Sequence, residues 1–479
     1  MSLGPQISRR DFLGRLGGSA VSAALAAAAA CSGKSDRISR PPNLVLVMAD
    51  DLGWGDTGYN GHPLIQTPIL DEMAASGVQF NRFYSAAPVC SPTRGSCLTG
   101  RHPYRYGVFS ANIGHMPPEE INLAEALKTQ GYTTGHFGKW HLGTMTKTIV
   151  ESNRGGRPEH VQHYSPPWLN GFDECFSTEA KVPTWDPIKH PETNETYGTW
   201  YWKKDGTRET ENLEGDDSRV IMDRVIPFVR NAASRGKPFL AVVWFHTPHL
   251  PIVAGPEYRK LYAELEEPLR NYYGCITAMD QQLGRLRKDL RALDVAENTL
   301  VTFCSDNGPE GTSGMPFPHG GYGSAGPFRG RKRDLWEGGV RVPGLLEWPG
   351  KIKQPLTLDM PCCTSDYYPT VLDILGLEIK GQPQPLDGIS LLPAIEGRMR
   401  ERPEPIAFEF RDRIALIGNR YKLIRPGKIE AWMLFDILED PGETTDLAAE
   451  KPEIVRKMKE VLLAWQESCN GSREGKDYR

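Results

Sequence analysis

The chain has 479 residues, of which 39% are hydrophobic and 24% charged, with a formal net charge of −4. That composition belongs to a globular protein with ample core, and the length corresponds to roughly two to three domains. The slightly acidic balance excludes a general nucleic-acid binder, so any anionic ligand has to be held by local positive charge rather than by the field of the whole molecule.

The first residues are a targeting segment rather than fold. Ser8-Arg9-Arg10-Asp11-Phe12-Leu13 is similar to a twin-arginine export signal, and an Ala/Gly/Leu-rich run follows to Ala30. That run has about fifteen residues, short of the ~20 that a spanning helix needs. Residues 1–30 therefore set the expectation of an exported protein, periplasmic or cell-surface, that uses the twin-arginine machinery. Cys31 follows Ala28-Ala29-Ala30. Two readings stay open: a lipoprotein site with a lipid anchor at Cys31, or a small-residue signal-peptidase site nearby. The nine cysteines are odd in number and irregular in spacing, which argues against a disulfide framework, although one or two disulfides fit an exported chain. No Cys-x-x-Cys zinc pattern is present.

From Asn43 onward, short apolar runs alternate with helical patterns, the mark of an α/β architecture. Leu44–Met48 is continuously apolar and reads as a strand buried on both faces. Phe239–Phe245 and Thr299–Cys304 repeat the pattern, and Thr133–His136 is a weaker case. Helices are expected over Pro68–Ser76, Leu123–Gln130, Ser218–Ala233, Leu269–Leu293 and Ser365–Leu375, with Pro68 in a first turn and Gly77 and Gly376 at helix ends. Residues 145–215 form an irregular insertion rich in Pro, Gly and aromatics: Tyr164, Trp168, Trp185, Trp200, Tyr201 and Trp202. Aromatic faces suit sugar rings, so this insertion is expected to face the substrate. Residues 41–380 then make the main domain. After about Gly381 the pattern changes to short strands at Pro405–Phe410, Ile414–Gly418, Tyr421–Ile424 and Met433–Asp436, followed by an amphipathic helix over Pro452–Gln466. Residues 381–479 are expected to form a small α+β subdomain with an antiparallel sheet.

Open α/β sheets bind ligands at the carboxyl ends of their strands. Asp50 and Asp51 follow the first buried strand. Lys139 and His141 follow Thr133–His136, His246 and His249 follow Phe239–Phe245, and Asp306 and Asn307 follow Thr299–Cys304. Asp50, Asp51, Asp306 and Asn307 are hard oxygen ligands that suit Ca²⁺ or Mg²⁺ rather than zinc. A single Asp after a strand is more often a cap; pairs on separate strands favour a metal.

The densest motif is Cys90-Ser91-Pro92-Thr93-Arg94-Gly95-Ser96-Cys97-Leu98-Thr99-Gly100-Arg101. It resembles the signature of the type I sulfatases, members of the alkaline phosphatase superfamily, in which that cysteine is converted to formylglycine. The family pattern prefers serine where Thr93 stands; threonine keeps the hydroxyl. Gly138-Lys139-Trp140-His141-Leu142-Gly143, Pro248-His249-Leu250-Pro251, and Arg329-Gly330-Arg331-Lys332 followed by Trp336–Pro343 resemble further family blocks in the family's order. The likeness runs from Pro42 to about Ala448 and ends in Phe435–Thr444, read as a structural turn.

The resemblance implies a large mixed, mostly parallel sheet sandwiched by helices, of the alkaline-phosphatase-like kind. It implies hydrolysis of sulfate monoesters, with sulfated carbohydrates as the expected substrates. The implied metal ligands are Asp50, Asp51, Asp306 and Asn307 together with residue 90, usually around calcium, and a formylglycine-generating enzyme is an implied partner. Arg94, Lys139 and Lys332 would contact the sulfate. His141 would be the base for sulfate release, and His249, with Lys332, would protonate the leaving alcohol. Two assignments stay open: His246 competes with His249, and Arg331 or Arg333 with Lys332. The rival readings are a phosphonate or phosphate ester hydrolase on the same fold, and a non-catalytic glycan-binding lipoprotein.

Overall fold

The apolar run at Leu44–Met48 becomes a strand, Asn43–Ala49, at the heart of a nine-stranded sheet. The computed structural model describes residues 40–312, 315, 321–427 and 431–478; the expected export signal and Cys31 lie outside them. The strand order is Leu356–Leu358, Val78–Phe80, Gly344–Glu347, Thr299–Ser305, Asn43–Ala49, Phe239–Trp244, Thr133–Lys139, Glu174–Thr178 and Trp202–Lys203. The five strands from Thr299–Ser305 to Glu174–Thr178 run parallel. Gly344–Glu347 and Trp202–Lys203 are antiparallel to their neighbours. The fold is therefore a mixed, mostly parallel α/β sheet.

Alternation along Asn43–Ala49 explains the layers. Leu44, Leu46 and Met48 enter one core with residues of the helices Cys90–Thr99, Leu123–Lys128 and Tyr367–Leu375. Val45, Val47 and Ala49 enter a second core under Pro68–Ser76, Asp217–Ser234 and Glu267–Ala292. Both faces are covered, which is why the strand reads as unbroken hydrophobe. Pro68 occupies the first helical turn, and Gly376 closes its helix with φ +61°, as expected from their types.

Sequence reading missed the strands at Val78–Phe80, Glu174–Thr178 and Gly344–Glu347, each of five residues or fewer. Glu174–Thr178 corrects the picture of a wholly irregular insertion, since it pairs in parallel with Thr133–Lys139. Two of the insertion's six aromatics are core as well. Tyr201 and Trp202 are fully buried, and Tyr201 stacks on Phe176 at 4.0 Å. Trp168, Trp185 and Trp200 remain partly exposed.

The four predicted C-terminal strands form one antiparallel sheet, Ile406–Phe410, Arg413–Ile417, Tyr421–Arg425 and Met433–Asp436. One face shares a core with Tyr84, Val89 and Val340. The other packs Ile414 and Leu416 on Leu462 of the helix Pro452–Arg473. The Phe435–Thr444 motif ends in Glu443, whose buried carboxylate accepts from Glu337 N at 2.7 Å and pairs with Lys422 at 2.8 Å. Its job is structural. All eight described cysteines are buried and unpaired. Among the described residues no helix is long and apolar enough to cross a membrane.

Asp387 ties the turn after the Cys90 helix to the C-terminal helix. It accepts from His102 N at 2.6 Å, from Arg105 twice at 2.7 Å, and from Trp465 Nε1 at 2.9 Å. Burial pushes its pKa up, but Arg105 outweighs burial and the net shift is downward. Asp387→Ala strands the buried Arg105 guanidinium and should cost about 3 kcal/mol, read as a lower midpoint in urea unfolding. Because the folded pKa lies below the unfolded one, the carboxylate's contribution is complete above about pH 4 and fades as pH falls through the folded value. The gap between wild type and variant should therefore close in acid; a constant gap would refute the ion pair.

Candidate active site

Cys90 begins a ten-residue helix, Cys90–Thr99, in which every residue is buried. Pro92 fits there because the first four helical N–H groups have no intrahelical acceptor, so none is lost. Thr93 donates its hydroxyl to Ala87 O at 2.9 Å, a bond that the family's serine could equally make. Arg94 lies four residues on from Cys90, on the same helix face. Gly100, at φ +70°, ends the helix with its N–H on Ser96 O. The helix N-terminus at Cys90 carries partial positive charge that favours an anion.

Four consecutive strands of the sheet, Thr299–Ser305, Asn43–Ala49, Phe239–Trp244 and Thr133–Lys139, deliver their C-terminal residues to this helix end. Cys90 Sγ and carboxylate oxygens of Asp50 and Asp306 lie within 4.8 Å of one another, as do ligand atoms of Asp50, Asp51 and His249. Each acid meets a cation. Lys139 Nζ is 2.6 Å from Asp50, Arg94 is 2.7 Å from Asp306, and Lys332 Nζ is 2.7 and 2.8 Å from the two Asp51 oxygens. Asn307 Nδ2 donates to Asp51 Oδ1 at 2.7 Å. Asp50, Asp51, Asp306, Asn307, Cys90, Arg94, Lys139, His141 and Lys332 are all buried. His249, with its side chain 15% exposed and Nε2 3.7 Å from Asp51, stands at the mouth.

The electrostatics follow from packing three carboxylates and three cations in a dry place. Burial pushes the Cys90 thiol up, which keeps it protonated and a poor nucleophile. Burial, with Asp50 beside it, also raises Asp306. Burial would raise Asp51 too, but Lys332, His249 and Lys139 hold it well below the usual carboxylate range. Burial, Lys139 and Arg94 keep His141 neutral.

A hard divalent cation fits the donor set. Asp50 Oδ1 and Asn307 Oδ1 are buried with no hydrogen-bond partner among the described residues. Unpaired buried oxygens are costly, and an oxygen-coordinated cation would satisfy them. Asp50, Asp51, Asp306 and Asn307 are the residues that would hold it, with the atom at Cys90 alongside.

The geometry separates the residues that sequence left in competition. His246 faces inward, with Nδ1 2.8 Å from Asp217 and Nε2 2.7 Å from Thr178 Oγ1, away from the carboxylate cluster. Arg331 reaches the backbone carbonyls of Glu310 and Gly323, and Arg333 pairs with Glu310. Only Lys332 of the three reaches Asp51. Sequence reading missed Glu310, 3.2 Å from Lys332, and Asn112, whose Oδ1 is 2.8 Å from His141 Nε2. Asn112 sits at φ +63° in an Asn-Ile-Gly turn, the one local signal that marks it.

A buried helix N-terminus carrying Cys90, beside oxygen ligands and cations at the carboxyl edge of a mixed sheet, defines an ester hydrolase of the alkaline-phosphatase-like class. The sulfatase family profile matches residues 42–377, and a profile described as N-sulphoglucosamine sulphohydrolase, C-terminal, matches residues 326–468. The chain belongs to the sulfatase family and is a sulfuric ester hydrolase. It is 34% identical to N-acetylgalactosamine-6-sulfatase of Mus musculus over 429 residues, covering 85% of this chain and 75% of that one. It is 30% identical to arylsulfatase A of Homo sapiens over 479 residues, covering 89% and 88%. Among solved structures, Ps i-CgsB in complex with k-i-k-neocarrahexaose superimposes with a TM-score of 0.76 at 27% identity, covering 89% of this chain and 93% of that one. The phosphonate monoester hydrolase of Agrobacterium radiobacter shares the fold, with a TM-score of 0.60 at 21% identity over 89% and 96% of the two chains.

Lys332→Ala should lower kcat/KM by roughly 10²-fold or more, the effect of removing a charge-assisted hydrogen bond that strengthens in the transition state. Arg331→Ala, which removes bonds to backbone carbonyls alone, should cost much less. Steady-state kinetics of the two variants decides between them, and the opposite ranking would move the sulfate-binding role to Arg331.

Proposed function

We propose that this sulfatase removes sulfate from sulfated carbohydrates, with residue 90 in the formylglycine form and one divalent cation, calcium or else magnesium, at Asp50, Asp51, Asp306 and Asn307. The observation that carries the reading is the site's charge pattern: a buried Cys90 within 4.8 Å of two carboxylates, ringed by Arg94, Lys139 and Lys332. A sulfate monoester is an anion whose sulfur is screened by negative oxygens, so attack requires those oxygens to be neutralised and oriented.

A divalent cation held by these oxygens would supply that neutralisation, and formylglycine at position 90 would supply a hydrated aldehyde with a second hydroxyl for release. The chain's own residues do the rest. Arg94, Lys139 and Lys332 offer donors aimed at charge that builds in the transition state. Lys332, held as a cation by Asp51, together with His249 at the mouth, would protonate the departing alcohol oxygen. His141, buried and neutral, takes the proton during sulfate release.

A carbohydrate substrate is supported by the kinship with an N-acetylgalactosamine-6-sulfatase and with Ps i-CgsB bound to neocarrahexaose. The Ser8–Leu13 sequence supports export by the twin-arginine route to the periplasm or cell surface. That route carries folded proteins, which allows a formylglycine-generating enzyme to act first. Cys31, either as a lipid-anchor site or close to a signal-peptidase site, belongs to the same proposal.

Elemental analysis of the purified protein should give about one Ca²⁺ or Mg²⁺ per chain, lost in Asp306→Ala. Stoichiometric zinc, or an unchanged metal content in the variant, would overturn the metal assignment. Mass spectrometry of the peptide containing residue 90 should show a loss consistent with thiol-to-aldehyde conversion. Cys90→Ser has one hydroxyl and no second one to expel sulfate, so after incubation with substrate it should retain covalent sulfate and turn over little. Full activity with an intact Cys90 thiol, or sustained turnover by the serine variant, would refute the mechanism. Conversion with activity on phosphonates and on no sulfate ester would favour a phosphonate hydrolase.

A further inference from the structure

His141 is held by a hydrogen-bond relay whose direction can be read without seeing a proton. The relay starts at Glu179, which follows the strand Glu174–Thr178 and is fully buried. Its Oε1 accepts from Asn153 Nδ2 at 3.1 Å, from Arg154 N at 3.2 Å and from Arg154 Nε at 3.3 Å. Its Oε2 accepts from Gly155 N at 2.7 Å. Asn153 Nδ2 also donates to Asn112 Oδ1 at 2.7 Å, and Asn112 Oδ1 lies 2.8 Å from His141 Nε2. Arg154 Nη1 fixes the same loop by donating to Asn112 O at 3.1 Å and Gly114 O at 2.8 Å. Asn112 stands at the rim, its outer side exposed.

Oxygen and nitrogen of an amide are told apart only by their partners. Glu179 Oε1, already receiving two N–H donors from Arg154, is an acceptor, so the atom of Asn153 that faces it must be the NH₂ group. That NH₂ group also faces Asn112, so the facing atom of Asn112 must be the oxygen; an NH₂ there would set donor against donor at 2.7 Å. Asn112 Oδ1 in turn faces His141 Nε2, which must carry the hydrogen. His141 is therefore the Nε2–H tautomer, and its lone pair sits on Nδ1. Nδ1 is buried and has no hydrogen-bond partner among the described residues.

We propose that Asn112 and Asn153 are positioning residues that transmit the acceptor character of Glu179 to His141 and so keep Nδ1 bare as the base. This rests on the reading of His141 as the base of the release step. When Nδ1 takes its proton, His141 becomes a cation whose Nε2–H bond to Asn112 is strengthened, and the proton leaves Nδ1 to solvent before the next turnover. The relay also gives residues 153–155 of the insertion a role in catalysis separate from any contact with a sugar.

The test uses the full-length modified enzyme and the sulfate ester it hydrolyses fastest. Asn112→Gly removes the acceptor and keeps a residue at ease at φ +63°. Its kcat should fall at least about tenfold, part of the 10²–10⁴ that a positioned base contributes, with KM little changed. Asn112→Asp keeps the acceptor, so most of kcat should return, and its carboxylate should move the acid limb of the pH–rate profile upward. Asn153→Ala should cost less than Asn112→Gly and add nothing to it in the double variant, because a relay once cut cannot be cut again. Two results would overturn the relay: an intact kcat in Asn112→Gly while His141→Ala is inactive, or losses that multiply in the double variant. If His141→Ala itself keeps full turnover, the role of His141 fails, which is a different result from failure of the relay.

Discussion

Three carboxylates buried side by side are the constraint on which this structure depends. Asp50, Asp51 and Asp306 extend from two adjacent parallel strands, Asn43–Ala49 and Thr299–Ser305, whose register places Ala49 opposite Ser305. Left alone, such a group would neutralise by taking up protons. The fold instead brings one cation to each acid: Arg94 from a helix, Lys139 from a third strand and Lys332 from a loop. The formal charges of these six side chains cancel. A divalent cation would add positive charge to this balanced set, and an anionic ester would be drawn to it.

That balance requires rigidity, because a carboxylate that can swing away loses its partner. Hydrogen bonds that cross between strand ends supply it. Asp51 N donates to Asp306 Oδ1, Leu52 N to Ser305 Oγ, and Asp50 N to Thr247 O. Asp51 itself adopts φ +67°, a conformation that costs a non-glycine residue about 1–2 kcal/mol. The strain is tolerated because it turns the second carboxylate of the pair toward Lys332 instead of along the strand.

Much of this was legible in the chain. A buried parallel strand announces itself as an unbroken apolar run, and the polar residues just past it must lie at one sheet edge, so Asp50, Asp51, Asp306 and Asn307 could be grouped from sequence alone. What stayed hidden depends on distance in sequence or on shortness. Glu174–Thr178 has no periodicity to detect over five residues and owes its strand to pairing with Thr133–Lys139. Tyr201 and Trp202 looked like surface aromatics because the helix and strand that bury them lie elsewhere in the chain. The choice between His246 and His249 could not be made from spacing, because it depends on Asp217 and Thr178, which approach His246 only in the fold. Asn112 and Asn153, common polar residues in loops, acquire meaning only through what they face.

The small C-terminal sheet belongs to the same constraint, since it braces the loop that carries Lys332. Lys332 N donates to Pro309 O and Arg333 N to Pro88 O, which sets the loop against the segment leading into the Cys90 helix. From the other side, Arg413 of the small sheet donates to Arg333 O and pairs with Asp334 at 3.1 Å. Lys422, fully buried, lies 3.1 Å from Glu337 and 2.8 Å from Glu443. A lysine is a flexible point charge on a four-carbon stem, so its backbone has to be fixed if its ammonium is to meet Asp51 at every turnover. The C-terminal strands supply that fixed point, and through it they take part in a reaction whose atoms they do not touch.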